Sequence, residues 1–241
     1  TFGHTNLSSN TMATFKGITS TGLLFGFLCL LGCGNTNNND VSKKSTLRSM
    51  SQETISFEKQ LEIFKKLGFE LNPGIDTSDI NRWGGHNEFE EQPFVLLYTT
   101  LGQTIEREPW TPLTNRCWNF DTEAIEDNGS YVDIIKNLER ITRGEIKFID
   151  VKDFVDIEKK KAWISFSLNG DKYKWNLKVD DDWVDTVLFS KIVELTIKYN
   201  TKGRYTYFDT GGQDAVIGFE IPEKLEEIKR MTGLKIDWLT N

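Results

Sequence analysis

The chain has 241 residues, with 29 Lys and Arg against 36 Asp and Glu, and its net charge is −7. This acidic balance argues against a nucleic-acid partner, because a phosphate backbone calls for clustered Lys and Arg. Three Cys and two His exclude a disulfide-rich scaffold and leave few nitrogen or sulfur ligands for a metal. We therefore expect no nucleic acid and no cofactor, and we expect a protein partner to be basic.

The N-terminal region contains an eleven-residue uncharged run, Gly22 to Gly32, which ends at Cys33. Lys16 lies upstream, and a polar segment rich in Asn and Thr follows. The run is too short to span a bilayer core, which takes about 20 apolar residues, but it fits the apolar region of a signal peptide. The alternative, a short buried helix, is disfavoured because the run is apolar all round.

The segment Leu30-Leu31-Gly32-Cys33 resembles the lipobox of bacterial lipoproteins. The resemblance covers residues 12–33 and implies cleavage before Cys33, a lipid on its sulfur, and attachment to a membrane of the bacterial cell envelope. In a Gram-negative cell this would be the outer membrane or the cell surface. We therefore expect four parts in the chain: an upstream extension (1–11), a signal peptide (12–32), a lipidated Cys with a flexible tether (33–51) and a single globular domain (52–241).

Cysteine and histidine are scarce in the expected mature chain. Because Cys29 belongs to the signal and Cys33 to the lipid, Cys117 is left alone and is predicted to be a small buried apolar residue. His86 is the only histidine in this part, which excludes a site that needs two. A catalytic Cys117–His86 dyad is the alternative, but nothing in the sequence brings the two together.

The first half of the domain is predicted to contain two helices and two strands. Apolar residues at Phe57, Leu61 and Phe64 predict a helix over 54–67, which Gly68 ends. Residues 75–92 are predicted to be irregular, and 94–100 and 117–125 to be strands. Residues 130–143 are predicted to form a helix, with Ser130 as its cap and Asp133 in capping-box position.

The clearest local pattern is a hairpin that turns at Asn169-Gly170, the preferred pair for a type I′ turn. A two-residue loop places apolar residues opposite apolar ones and polar opposite polar. The predicted pairs are Phe166–Tyr173, Ile164–Trp175, Ala162–Leu177, Ser165–Lys174 and Ser167–Lys172.

The last part of the chain is predicted to contain two more helices and a second hairpin. Asp185 caps a helix to Tyr199, residues 205–208 and 215–219 pair, Pro222 begins the last helix and residues 235–239 form a strand. Strands grouped in hairpins predict an α+β fold, an antiparallel sheet with about four packed helices.

Three acids are candidate catalytic residues. Asp121 and Glu123 lie two apart on a predicted strand, so their attachment points are about 6–7 Å apart on one face. This spacing suits a glycosidase-like acid–base pair, and the alternative is an ordinary solvated face. Asp209-Thr210-Gly211 is similar to the active-site loop of aspartic proteases, which need a second carboxylate. The following Gly212 and Gln213 depart from that pattern and favour a plain turn.

The densest acidic segment contains the candidate metal ligands Asp180, Asp182 and Asp185. An EF-hand loop that began at Asp180 would have Gly and Glu at the positions of Asp185 and Lys191, so the segment does not match an EF-hand. The segment is therefore interpreted as the capped start of a helix, with an irregular calcium site as the alternative. Four tryptophans in or beside predicted loops could form a stacking platform for a sugar or peptide: Trp83, Trp110, Trp118 and Trp183.

The sequence shows no nucleophile beside a base, no metal cluster and no phosphate-binding loop. We therefore expect a non-enzymatic, lipid-anchored binding module, and more specifically an immunity protein that neutralises a basic toxin. The alternative is a hydrolase of the cell envelope that uses Asp121, Glu123 or Asp209.

Overall fold

The computed structural model describes residues 55–240. Seven helices and seven strands occur in this range, in the order α1 Phe57–Lys66, α2 Thr77–Ile80, α3 His86–Glu91, α4 Val95–Leu101, β1 Cys117–Asp121, α5 Ser130–Ile141, β2 Ile149–Asp156, β3 Lys161–Leu168, β4 Asp171–Leu177, α6 Val187–Lys198, β5 Arg204–Asp209, β6 Asp214–Glu220, α7 Pro222–Thr232 and β7 Asp237–Trp238. No helix among these residues has the length and apolar content needed to cross a membrane.

The fold is α+β with antiparallel strands, as predicted, but the strands form two sheets rather than one. A four-stranded sheet has the order β1-β6-β5-β7, and a three-stranded sheet has the order β2-β3-β4. Four helices have ten or more residues, which agrees with the expected number, and three shorter ones precede β1.

The four-stranded sheet is covered on both faces. On β6, Ala215, Ile217 and Phe219 face a core shared with α5, α6 and the three-stranded sheet. Val216 faces a second core, which α1, α4 and α7 complete. Residues 215–220 of this strand are all buried, so the sheet is the middle layer between two hydrophobic cores.

The predicted Asn169-Gly170 hairpin is confirmed with its register. Ile164 lies opposite Trp175 and Phe166 opposite Tyr173, and the polar residues between them point outward. Asn169 and Gly170 both have positive φ, +51° and +88°, as a type I′ turn requires. The second hairpin and the last helix, with Pro222 at its start and Gly233 at its end, are confirmed as well.

The strand predicted over 94–100 is wrong, because this segment is helix α4. Phe94, Leu97, Tyr98 and Leu101 are all buried, at the i, i+3, i+4, i+7 spacing of one helix face. They pack in the second core, so burial outweighs the strand preference of the β-branched and aromatic residues.

Other boundaries also differ from the sequence prediction. Residues 75–92 contain two short helices, α2 and α3, and the last strand has two residues rather than five. β1 ends at Asp121, four residues before the predicted end, and β2 is a strand that the sequence does not predict. Only Val155 of its eight residues is fully buried, so the strand lacks the regular alternation of buried and exposed residues that marks a half-buried strand.

A buried ion pair joins the start of β1 to the end of β6. Arg116 Nη2 lies 2.7 Å from Glu220 Oε2, and the two side chains are 15% and 5% exposed. Burial raises the pKa of Glu220, while the positive charges of Arg116 and Arg143 oppose this shift. The pair fixes one end of the middle layer.

The cap of α5 comes from a distant strand rather than from the predicted Ser130–Asp133 box. The Asp153 carboxylate of β2 accepts hydrogen bonds from the amides of Gly129, Tyr131 and Val132 at 2.9–3.2 Å. Asp133 instead forms an exposed pair with Lys136. The first turn of α5 is therefore held against the three-stranded sheet by one carboxylate.

We predict that Asp153→Ala destabilises the protein by about 2 kcal/mol, because three amides at the helix start lose their acceptor. Asp133→Ala is the matched control and should cost no more than about 0.5 kcal/mol, since its partner is exposed. Urea unfolding of both variants measures the difference. Equal losses would show that Asp153 is not the cap that matters.

Candidate functional site

Three segments meet beyond the end of β1 and form one surface. The Thr122 amide donates to the Gln213 carbonyl at 3.1 Å, and the Thr122 carbonyl accepts from the Val184 amide at 2.9 Å. The Ile125 amide donates to the Asp182 carbonyl at 2.9 Å. These backbone hydrogen bonds join residues 121–127, 180–185 and 209–214 into what we call the acidic face.

The acidic face carries many carboxylates without cationic partners. Within residues 55–240, no ion pair involves Asp121, Glu123, Glu126, Asp127, Asp181, Asp182, Asp209 or Asp214. One acid of the face, Asp180, pairs with Lys178 at 2.5 Å, and this contact lowers its pKa. The surface therefore has a concentrated negative potential.

Like charges on the acidic face lie close together. Asp121 is directly opposite Asp214 in the β1–β6 register. Burial raises the pKa of the neighbouring Tyr207, and the charges of Asp209 and Asp214 raise it further. Opposed carboxylates destabilise a sheet, so the fold tolerates a local cost here.

Two exposed apolar side chains, Trp183 and Val187, lie in or next to the acidic face. Trp183 is 43% exposed, although it lies in a backbone bridge with Glu123, and Val187 at the start of α6 is 49% exposed. An exposed aromatic residue ringed by charge is typical of a protein interface, where such residues supply much of the binding energy.

The structure brings two of the three candidate catalytic acids together. The Gln213 amide nitrogen lies 3.3 Å from Asp121 Oδ1 and 2.9 Å from Glu123 Oε2. Both carboxylates are exposed. Asp209 accepts a hydrogen bond from the Gly211 amide within the hairpin turn, as expected if this segment is an ordinary turn rather than a protease loop. It is not joined to the other two by any hydrogen bond described in residues 55–240.

An open cavity of about 320 Å³ borders the acidic face. Trp118, Glu126, Asp127 and Asp133 are among its lining residues, whereas Asp121, Glu123 and Asp209 are not. The proposed acid–base pair is therefore exposed and lies outside this cavity, so the cavity does not shield it from water.

Two of the three candidate metal ligands, Asp180 and Asp185, have other partners. Asp185 accepts hydrogen bonds from the amides of Lys178 and Val187 and so holds the start of α6, while Asp180 binds Lys178. No group of three His, Cys, Asp or Glu side chains suited to a metal occurs within residues 55–240. The helix-start interpretation of this segment accounts for its geometry.

His86 and Cys117 lie in different surroundings. His86 Nδ1 is 3.3 Å from Glu58 on the surface, whereas Cys117 is fully buried, and burial raises the pKa of its thiol to about 12. Such a thiol is not a nucleophile. Cys33, the expected lipidation site, lies outside the described residues.

The four tryptophans do not share one environment. Trp83, Trp110 and Trp183 are exposed, while Trp118 packs against Phe120 with ring centroids 4.7 Å apart. Trp183 is the one that belongs to the acidic face. Sequence reasoning missed the role of Gln213, because its contacts with Asp121 and Glu123 span about 90 residues and no local pattern marks them.

The chain has no significant match to a protein-family model, a curated protein or a solved structure. The function must therefore be inferred from the surface described above.

We predict that Asp121→Asn stabilises the protein by up to about 1 kcal/mol at low ionic strength, because it relieves the repulsion from Asp214. Salt should reduce the gain, since it screens exposed charges. Glu123→Gln is the control, because no carboxylate lies directly opposite it. Thermal unfolding at two salt concentrations measures the effect, and a gain that does not depend on salt would contradict the explanation.

Proposed function

We propose that this protein is a lipid-anchored, non-enzymatic binding module of the bacterial cell envelope, and that its acidic face binds a basic protein. The role that fits best is an immunity protein that neutralises a basic toxin. The observation that carries the proposal is the set of unpaired carboxylates around exposed Trp183.

The carboxylates and Trp183 contribute to different steps of binding. A negative surface increases the rate at which a positively charged partner associates and disfavours acidic competitors. Trp183 supplies the apolar contact that gives such a complex a low dissociation rate, because a buried aromatic residue is the usual centre of a tight interface.

The alternative, a glycosidase-like hydrolase, has support in the shared contact of Asp121 and Glu123 with Gln213. These two acids are exposed and do not line the cavity that borders the acidic face, whereas a hydrolase needs a pocket to orient its substrate. Activity on a panel of glycosides that is lost in Asp121→Asn would favour the hydrolase over the binding module.

The partner is to be sought first in the gene next to the one that encodes this chain. We predict that a basic protein encoded there binds the wild-type chain and that the affinity falls as salt rises. Trp183→Ala should weaken binding by about 2 kcal/mol, which is roughly 30-fold. Asp181→Lys/Asp182→Lys should weaken it at least as strongly. Isothermal titration calorimetry measures each change.

The matched control is Glu70→Lys/Glu91→Lys, which changes the net charge by the same amount at exposed positions outside the acidic face. This control should retain nearly wild-type affinity. If both double variants lose affinity equally, net charge rather than the acidic face governs binding. Binding by neither the wild type nor the control would contradict the proposed partner.

The anchor has its own test. We predict that Cys33→Ser prevents lipid attachment and releases the mature chain from the membrane fraction, and that globomycin, which blocks cleavage of lipoprotein signal peptides, leaves an unprocessed precursor. Mass spectrometry and membrane fractionation measure both outcomes. Unchanged processing under globomycin would show that the run into Cys33 is not a lipoprotein signal.

A further inference from the structure

The outer face of the three-stranded sheet has a composition opposite to that of the acidic face. Residues that alternate with the buried ones point away from the core. They place aromatic residues in the middle and lysines around them. We call this surface the basic sheet face, and it consists of Lys152, Phe154, Trp163, Lys172 and Lys174.

The centre of the basic sheet face is an aromatic pair. Phe154 lies opposite Trp163 in the β2–β3 register, and their rings are nearly parallel, 14° apart, with centroids at 6.3 Å. The Lys174 ammonium group lies over the Trp163 ring, 4.2 Å from its centroid. Two half-buried rings thus stack with each other on this face of the sheet.

The lysines of this face have no acidic partners. Lys152, Lys172 and Lys174 are exposed, and none of them forms an ion pair among the described residues 55–240. At the margin, Asp156 pairs with Lys159 at 2.8 Å. The neighbouring Asp153 faces inward, towards the start of α5. Positive charge is therefore concentrated on one face of an acidic chain.

We propose that the basic sheet face lies against an anionic phospholipid bilayer. Aromatic rings flanked by lysines are the composition of a membrane interface, where the rings lie at headgroup level and the ammonium groups reach the phosphates. One acyl anchor with a basic patch binds a membrane more stably than either alone. The inference rests on the lipid anchor of the proposed function, which keeps the face near the bilayer at high effective concentration.

The geometry favours a bilayer over single-stranded nucleic acid. A nucleobase would stack on an open aromatic ring, but Trp163 already stacks with Phe154 and the Lys174 ammonium group lies over its ring. A headgroup phosphate needs no open ring, because it binds the ammonium groups themselves.

The test uses the lipidated protein with a polarity-sensitive dye on one introduced cysteine. Ser165→Cys places the dye between Lys152 and Lys174, and Glu226→Cys places it on α7, which packs in the second core. Cys117 stays unlabelled, because it is buried and its thiol pKa is about 12. The labelled proteins are reconstituted into vesicles of phosphatidylcholine with or without phosphatidylglycerol.

We expect a blue shift at position 165 only in vesicles that contain phosphatidylglycerol, and none at position 226. High salt should reverse the shift, and Lys152→Gln/Lys172→Gln/Lys174→Gln should abolish it. Equal signals at the two positions, or a shift that ignores lipid charge, would overturn the proposal. A shift at 165 caused by an added single-stranded oligonucleotide but not by phosphatidylglycerol would assign the face to nucleic acid instead.

A protein that lacks the lipid anchor can be distinguished from one whose basic sheet face does not touch the bilayer. A chain without lipid on Cys33 is detected by its mass and by its failure to float with vesicles, whatever the dye reports. The unanchored protein is then made with Cys29→Ser/Cys33→Ser, so that the dye labels only the introduced cysteine, and is titrated with an excess of the same vesicles. The two dye positions still show which face touches the bilayer. An anchored protein with no shift at 165 contradicts the membrane contact alone.

Discussion

Strand β6 is buried on both of its faces, so the helices and the three-stranded sheet must cover it from two sides. The arrangement of these other layers depends on this constraint. Ala215, Ile217 and Phe219 require one apolar core and Val216 requires another. Space is limiting as well, because a Cβ atom on Gly218 would lie 2.6 Å from the Thr206 hydroxyl. Since neither face of the strand reaches water, polar chemistry is displaced to the loops at the ends of the sheet. The acidic face occupies such an end.

The parts of the protein that stabilise the fold are thus different from the parts that carry its unpaired surface charges. Two cores and the buried Arg116–Glu220 pair hold the middle layer, so the adjoining ends of β1 and β6 can keep opposed carboxylates that weaken the fold locally. The same separation applies to the three-stranded sheet. Its inner face completes a core, while its outer face bears lysines that contribute no ion pair to the fold in the described part of the chain.

The features that the sequence predicts are those with a local signal. The Asn169-Gly170 turn fixes its register through neighbours a few residues away, and Pro222 and Gly233 mark the ends of α7. The β-branched and aromatic residues of helix α4 favour a strand, and the strand prediction is wrong because Phe94, Leu97, Tyr98 and Leu101 have the spacing of one buried helix face. For the candidate site, the sequence placed Asp121 and Glu123 together. It could not place Gln213 or Trp183 beside them, because those contacts are set by tertiary packing.

Cys117 has a consequence for how the protein meets an oxidising environment. Thiol–disulfide exchange needs an accessible thiolate, and this residue offers neither access nor ionisation once it is enclosed by the second core. The native state is therefore inert towards disulfide-forming enzymes, whereas the unfolded chain exposes an ordinary reactive cysteine. Under oxidising conditions, a wrong cross-link can therefore form only before the chain has folded. Rapid burial of Cys117 in the second core thus protects its thiol from oxidation, in addition to stabilising the fold.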